Sequence, residues 1–332
     1  MPENPSSRSG LEVDENPSSD KDSAYSESIG TASYMTSISS SIRNYKYENG
    51  RRYHAFREGA YTLPNDEQEQ ERMDLVHHIY LLLLGGKLHL SPITNPQRVL
   101  DLGTGTGIWA IDFADEYPSA QIIGTDLSPI QPQWVPPNCT FEIDDYETEW
   151  VYTRPFDFIH GRELAGFVAD YGRLFSRAFK HLKPGGYFEI QTVNPTVFSD
   201  DDSLEKAKNL RHWVAEMHKA SEQFGKSMTV VETWKDELIK AGFEDVHREV
   251  IKFPIGPWAK DKKLKEIGKY HQAQVIDAIG SYTPALFTRI LGYTREEAEV
   301  LCVAVRNEIR DRTLHLYQEA HFVYGRKPEA KS

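Results

Sequence analysis

An α/β fold, a parallel sheet with helices on both faces, is predicted by three observations. Short apolar runs alternate with segments of helical period from Arg98 onward, a glycine-rich turn joins the first run to the first helix, and acidic residues close the next two runs. Val99 to Leu102 reads as the first strand, and Ile108 to Tyr117 as the helix behind it, closed by Pro118. Gln121 to Thr125, Thr140 to Ile143 and Phe156 to His160 are strands two to four, the last introduced by Pro155. Leu164 to Leu182 carries a helical pattern. Lys183, Pro184, Gly185 and Gly186 form a turn, and Tyr187 to Val193 is strand five.

Flanking segments are more helical. Asp66 to Arg72 opens a helix whose apolar positions, Met73, Val76, Ile79, Tyr80 and Leu83, fall three and four apart, and Gly85 with Gly86 ends it. Ahead of it, Gly50 to Phe56 mixes basic and aromatic groups. Asp202 to Phe224 is expected to be one helix, with Leu210, Trp213, Met217, Ala220 and Phe224 on one stripe. Thr229 with Glu232 fits a capping box opening a helix that ends at Gly242, and Thr294 with Glu297 fits a second box. A strand is expected over Val246 to Phe253, helices over about 261–279 and 283–291, and a last strand over His321 to Tyr324. The resulting organisation is a disordered Ser-rich tail at 1–42, an N-terminal helical cap at 43–97, and an α/β domain at 98–328 with helical insertions at about 202–225 and 260–315.

Composition removes several function classes. The 332 residues carry a net charge of −12, which argues against a nucleic-acid partner, since phosphate binding needs a basic face. Two cysteines, Cys139 and Cys302, suggest neither a disulfide framework nor a zinc cluster, so no metal is expected. A polar N-terminus predicts no signal peptide, and the longest aliphatic run, Leu81 to Leu84, is far short of a membrane span. The expectation is a soluble intracellular protein, cytoplasmic or nuclear.

The chemistry concentrates in Asp101, Leu102, Gly103, Thr104, Gly105, Thr106 and Gly107. Glycine at every second position, after a strand and before a helix, lets backbone approach a ligand closely. A dinucleotide fingerprint counted from Gly103 needs a third glycine where Ile108 stands, and no P-loop lysine follows. What stands here, Gly-x-Gly-x-Gly preceded by Asp101, resembles motif I of class I S-adenosylmethionine-dependent methyltransferases. Further blocks resemble the fungal LaeA-like methyltransferases: Asn49 to Phe56 with Asp66 to Arg72, Phe156 to Arg162, Lys183 to Gln191, Phe253 to Asp261, and Val323 to Pro328. Together they span about residues 45 to 328.

That resemblance implies a Rossmann-like seven-stranded methyltransferase sheet with a reversed last strand at His321 to Tyr324, and helical lid insertions interrupting the last hairpin. It implies S-adenosyl-L-methionine as cofactor, held by Asp101, Gly103, Thr104, Gly105, Gly107, Asp126, Leu127, Asp144 and Asp145. The cofactor has an ammonium, a ribose diol and an adenine but no phosphate. Asp101 at the loop entrance suits the ammonium. Asp126, at the end of the second strand, can accept two hydrogen bonds from the diol. The resemblance places the adenine amino contact on Asp144 or Asp145, with Asp145 favoured by the strand end at Ile143. His160, after strand four with Arg162 and Glu163 nearby, is the candidate catalytic base, needed only if the acceptor starts protonated. Asn194-Pro195 follows strand five and is read as a turn rather than an amino-group methyltransferase signature. Two functions stay open. One is methylation of a small-molecule acceptor in fungal secondary metabolism. The other is a LaeA-type nuclear regulator acting with velvet-type protein partners.

Overall fold

The computed structural model describes residues 45–330 except 58 and 60. The predicted Ser-rich tail lies outside the described residues. Two short strands, β1 (Lys46–Glu48) and β2 (Arg51–Tyr53), form a hairpin before helix α1 (Glu67–Leu83). The alternating part follows: β3 (Arg98–Leu102), α2 (Ile108–Glu116), β4 (Gln121–Asp126), β5 (Cys139–Ile143), β6 (Phe156–Arg162), α3 (Tyr171–His181) and β7 (Leu182–Val193). Then come α4 (Ser203–Lys206), α5 (Lys208–Gln223), α6 (Trp234–Lys240), β8 (Glu244–Pro254), α7 (Lys262–Ala285), α8 (Arg295–Arg310) and β9 (Tyr317–Arg326).

Seven strands make one sheet in the order β5-β4-β3-β6-β7-β9-β8. The pairs β4–β5, β3–β4, β3–β6 and β6–β7 are parallel, and β9 runs against both β7 and β8. This is the expected sheet with its reversed last strand, and α7 and α8 interrupt the β8–β9 connection. The inner strands are largely apolar because both faces are covered, and the polar residues buried in them, among them Asp101, His160, Glu189 and Gln191, are hydrogen-bonded inside the protein. One face buries Leu100, Ile159, Phe175, Phe188 and Trp234 under α3 and α6. The other buries Val99, Trp109, Phe113, Ile122 and Phe158 under α2. A further core, with Leu210, Trp213, Val275, Ile279, Phe287 and Val305, joins α5, α7 and α8.

Several elements differ from the sequence expectation, each for a local reason. The segment before α1 is not wholly helical. Asn49 and Gly50, at φ 51° and 77°, make the two-residue turn that an Asn-Gly pair favours, and this pairs β1 with β2. The helix expected from Leu164 starts only at Tyr171, where the Asp170 side chain accepts from the Arg173 N–H, and Gly166 before it sits at φ 86°. The expected 202–224 helix breaks at Ala207 into α4 and α5. The Thr229 box does not form: its hydroxyl pairs with Ser227 at 3.0 Å, and Val230–Thr233 is a 3₁₀ turn leading into α6. The Thr294 box is complete.

The two helices expected at 261–279 and 283–291 are one α7, which passes through Pro284 and ends in a π turn at Leu286–Ile290. Proline deprives the carbonyl four residues back of its helical donor. That carbonyl belongs to Gly280, and Arg51 Nη1 donates to it at 3.0 Å. The hairpin thus supplies the hydrogen bond that Pro284 removes, which ties the N-terminal segment to α7.

Candidate active site

The carboxyl ends of β3, β4 and β6 meet where the glycine loop turns into α2. Gly103, Gly105 and Gly107 have φ of 63°, 60° and 82°, a backbone that other residues adopt only with strain. Thr104 N–H donates to the Thr125 carbonyl, Gly105 N–H to Asp126 Oδ2, and Gly107 N–H to the Thr104 carbonyl, each at 2.9 Å. Three loop amides are therefore committed inside the protein. A phosphate nest would need such groups turned outward, so the loop favours a phosphate-free ligand.

Asp126 Oδ1 also accepts from the Ser128 N–H at 2.8 Å. Burial raises its carboxyl pKa to about 6, against the opposing pull of those amide donors. Asp101 is a brace: Oδ2 accepts from the Thr104 hydroxyl at 2.6 Å, and Oδ1 lies 2.7 Å from His160 Nδ1. The His160 ring stacks on Trp109, with centroids 3.7 Å apart and planes 6° apart. His160 is fully buried, and among the described residues its Nε2 has no hydrogen-bond partner.

These groups line a cleft enclosing about 1040 Å³, open mouth included. Asp101, Gly103, Thr104, Gly105, Asp126, Leu127 and His160 all border it. Gly107, Asp144 and Asp145 are not among its lining residues. A side chain on Gly107 would meet the Phe141 ring at 2.3 Å, so that glycine permits close helix–strand packing. Asp144 accepts from the Asp145 N–H and Asp145 from the Glu147 N–H, at 2.8 and 2.9 Å, so both acids shape the turn that brings Tyr146 into the cleft wall.

Other lining groups carried no local sequence signal. Tyr61 and Asn65 arrive from the segment ahead of α1, and Tyr282 from α7. Arg72 borders the cleft too, its guanidinium held by Glu69 at 2.6 to 3.1 Å. Glu69 also accepts from the Ser281 hydroxyl, which joins α1 to α7. Val76, Glu163 and Tyr282 border both this cleft and a second cavity, enclosing about 700 Å³ with its open mouth included, between α1, α5 and α7.

Comparison with known proteins agrees with this geometry. The methyltransferase-domain family model matches residues 51–248. The chain belongs to the methyltransferase family. Methyltransferase pytC of Aspergillus terreus is 39% identical over 303 residues, which is 91% of this chain and 94% of that protein. The secondary metabolism regulator laeA of Monascus pilosus is 36% identical, covering 85% of this chain and 77% of its own. The protein-methionine methyltransferase laeA of Emericella nidulans is 35% identical, covering 89% and 79%. The methyltransferase therefore takes S-adenosylmethionine as methyl donor. The cleft fits that group: the carboxylates of Asp101 and Asp126 line it, and its loop amides are not free for phosphate. No helix among the described residues is long and apolar enough to cross a membrane. Among them, no three His, Cys, Asp or Glu residues are grouped to hold a metal ion.

Proposed function

We propose that this methyltransferase transfers a methyl group to a small-molecule intermediate of fungal secondary metabolism, seated in the second cavity. The observation that carries the reading is the junction itself: Val76, Glu163 and Tyr282 border the cofactor cleft on one side and an apolar cavity on the other. The similarity to pytC supports the metabolic setting.

In this reading Asp126 accepts the ribose hydroxyls, while Gly103 and Gly105 let backbone approach the cofactor. Asp101 acts mainly by fixing Thr104 and His160, with its remaining lone pairs turned to the cofactor ammonium. Leu127 and Tyr146 cover the nucleoside, and Asp144 and Asp145 act through the turn that carries Tyr146. Bound S-adenosylmethionine supplies an electrophilic methyl group. The chain's own part is to align the acceptor and keep water out. Helices α5 and α7, within the insertions at about 202–225 and 260–315, serve as the lid. The 98–328 segment is then the catalytic domain and 43–97 its cap.

His160 as general base is not the assignment favoured here. It is fully buried, stacked on Trp109, held to Asp101, and absent from the lining of the second cavity. The second reading, a nuclear regulator with velvet-type partners, draws on the laeA similarity. A tritiated-methyl transfer screen against aromatic and polyketide-like acceptors, run beside a pull-down with velvet-domain protein, separates the two. Methylated small molecules without capture support the first reading. Capture without turnover overturns it in favour of the second.

A further inference from the structure

Glu163 follows β6 directly and stands where the cleft meets the second cavity. Its φ of 57° is a left-handed conformation, costly for a residue with a side chain. Three contacts hold it there. Its N–H donates to the Gln191 carbonyl at 2.8 Å, and Oε1 accepts both the Val193 N–H at 2.9 Å and the Tyr80 hydroxyl. Among the described residues no hydrogen bond reaches Oε2. One oxygen is thus fixed by backbone and ring while the other is left to the cavities.

The second cavity limits what can meet that oxygen. Its walls are mostly apolar, with Trp213, Met217, Val275 and Tyr282 among them, and it is lined by no lysine or arginine. His271, in its wall, pairs through Nε2 with Gln318 Oε1 at 3.0 Å, and burial lowers its pKa to about 3, so it is uncharged at neutral pH. The Trp213 N–H is taken by the Thr283 hydroxyl at 2.8 Å, which leaves the indole face as apolar surface. An anionic acceptor would find no counter-ion in these walls, since the nearest guanidiniums, Arg72 and Arg162, border the cofactor cleft and act on Glu163 itself. An uncharged, ring-containing molecule would find apolar walls and one free carboxyl oxygen.

We infer that Glu163 is the acceptor-contacting catalytic residue: its Oε2 receives the hydrogen of a hydroxyl on a flat, uncharged, largely apolar acceptor. The inference rests on the methyltransferase reading above and names its substrate class. In the step it serves, the hydroxyl proton passes to Oε2. The oxygen's lone pair forms the new O–C bond to the methyl carbon as the C–S bond breaks, and that bond's electron pair stays on sulfur. The proton later leaves Oε2 for water.

The test uses the full chain saturated with S-adenosylhomocysteine, and two probes: 2-naphthol and its methyl ether, 2-methoxynaphthalene. Glu163→Gln keeps an oxygen for Val193 and Tyr80, and replaces Oε2 by an amide NH₂ that donates instead of accepting. Calorimetry of wild type is expected to show naphthol bound about tenfold or more tighter than the ether, as for a hydrogen bond to a charged acceptor. In E163Q the preference shrinks to about twofold or less, because both probe oxygens can accept from the amide. Burial raises the Glu163 pKa against the opposing pull of Tyr80, Val193, Arg72 and Arg162, so the preference in wild type is also expected to fade as pH falls and Oε2 is protonated, and to be flat with pH in E163Q. An undiminished preference in E163Q overturns the inference. So does failure of naphthol to bind protein that still binds S-adenosylhomocysteine, or tighter binding of the cation 2-naphthylmethylamine. Loss of S-adenosylhomocysteine binding by the wild type instead contradicts the methyltransferase reading itself.

Discussion

Asp126 shows how far one residue's role can be read before its surroundings are known. Its place at the end of a strand after a glycine loop marks it as a ligand acceptor. That the protein would charge it only reluctantly depends on burial, which sequence does not report. Its folded pKa of about 6 lies above its ordinary value of 3.8. The carboxyl is therefore protonated below about pH 6, and the acceptor form that a ribose diol needs is gained as pH rises through that value. The same shift favours the folded chain at low pH, and that contribution is lost as pH climbs from 3.8 through about 6. Quenching of Trp109 fluorescence by S-adenosylmethionine should report affinity rising between pH 5 and 7. An affinity independent of pH over that range would contradict the assignment to Asp126. Glu163 is the opposite case. Its left-handed backbone and shared position arise from Tyr80, Gln191 and Val193, distant in sequence, so no local pattern announces it.

Secondary-structure elements were legible where their signals are local. The strands β3 to β7 follow runs of apolar residues, and the Thr294 cap forms with its backbone in the extended N-cap conformation, at ψ 158°. The Thr229 cap fails because its backbone, at ψ 7°, is not in the extended conformation of an N-cap, and its hydroxyl pairs with Ser227 instead. Helix α7 is longer than Pro284 suggests because Arg51 satisfies the Gly280 carbonyl, a compensation from more than two hundred residues away. Gly107 tests packing at this scale. It combines φ 82° with a phenyl ring 2.3 Å from where a methyl would stand. Gly107→Ala should cost about 2–4 kcal/mol, combining backbone strain with overpacking. Urea unfolding would measure it. Adding Phe141→Leu should return part of that loss, since the two positions touch and their effects couple; strictly additive losses would count against the packing account.

Over the whole molecule, the sheet order is what the strand–helix alternation implies, whereas the third layer of α5, α7 and α8 is set by long-range packing that periodicity does not encode. Burial in the folded molecule, of His271 on α7, His77 on α1 and His321 on β9, carries a titration consequence. Burial lowers the pKa of His271 to about 3, burial with Arg162 lowers His77 to about 4, and burial with Arg248 lowers His321 to about 4. Each is neutral when folded, whereas in the unfolded chain it takes up a proton near pH 6.5. Stability from these groups is full above that pH and is lost as pH falls toward 4 and 3. Denaturant melts should show this acid loss, with Asp126 acting weakly against it. His271→Gln, which can still donate to Gln318, should reduce the loss between pH 7 and 4 by about 2–4 kcal/mol. An unchanged pH slope in that variant would place the acid sensitivity elsewhere.

The glycine loop and Asp126 together form the cofactor cleft. Calorimetry with S-adenosylmethionine tests that claim most directly. The intact protein should bind it at one site, and Asp126→Ala should weaken binding by about 1–3 kcal/mol, the loss expected when hydrogen bonds to a charged acceptor disappear. No measurable heat with the intact, folded protein, or an Asp126→Ala variant that binds as tightly as wild type, would contradict it.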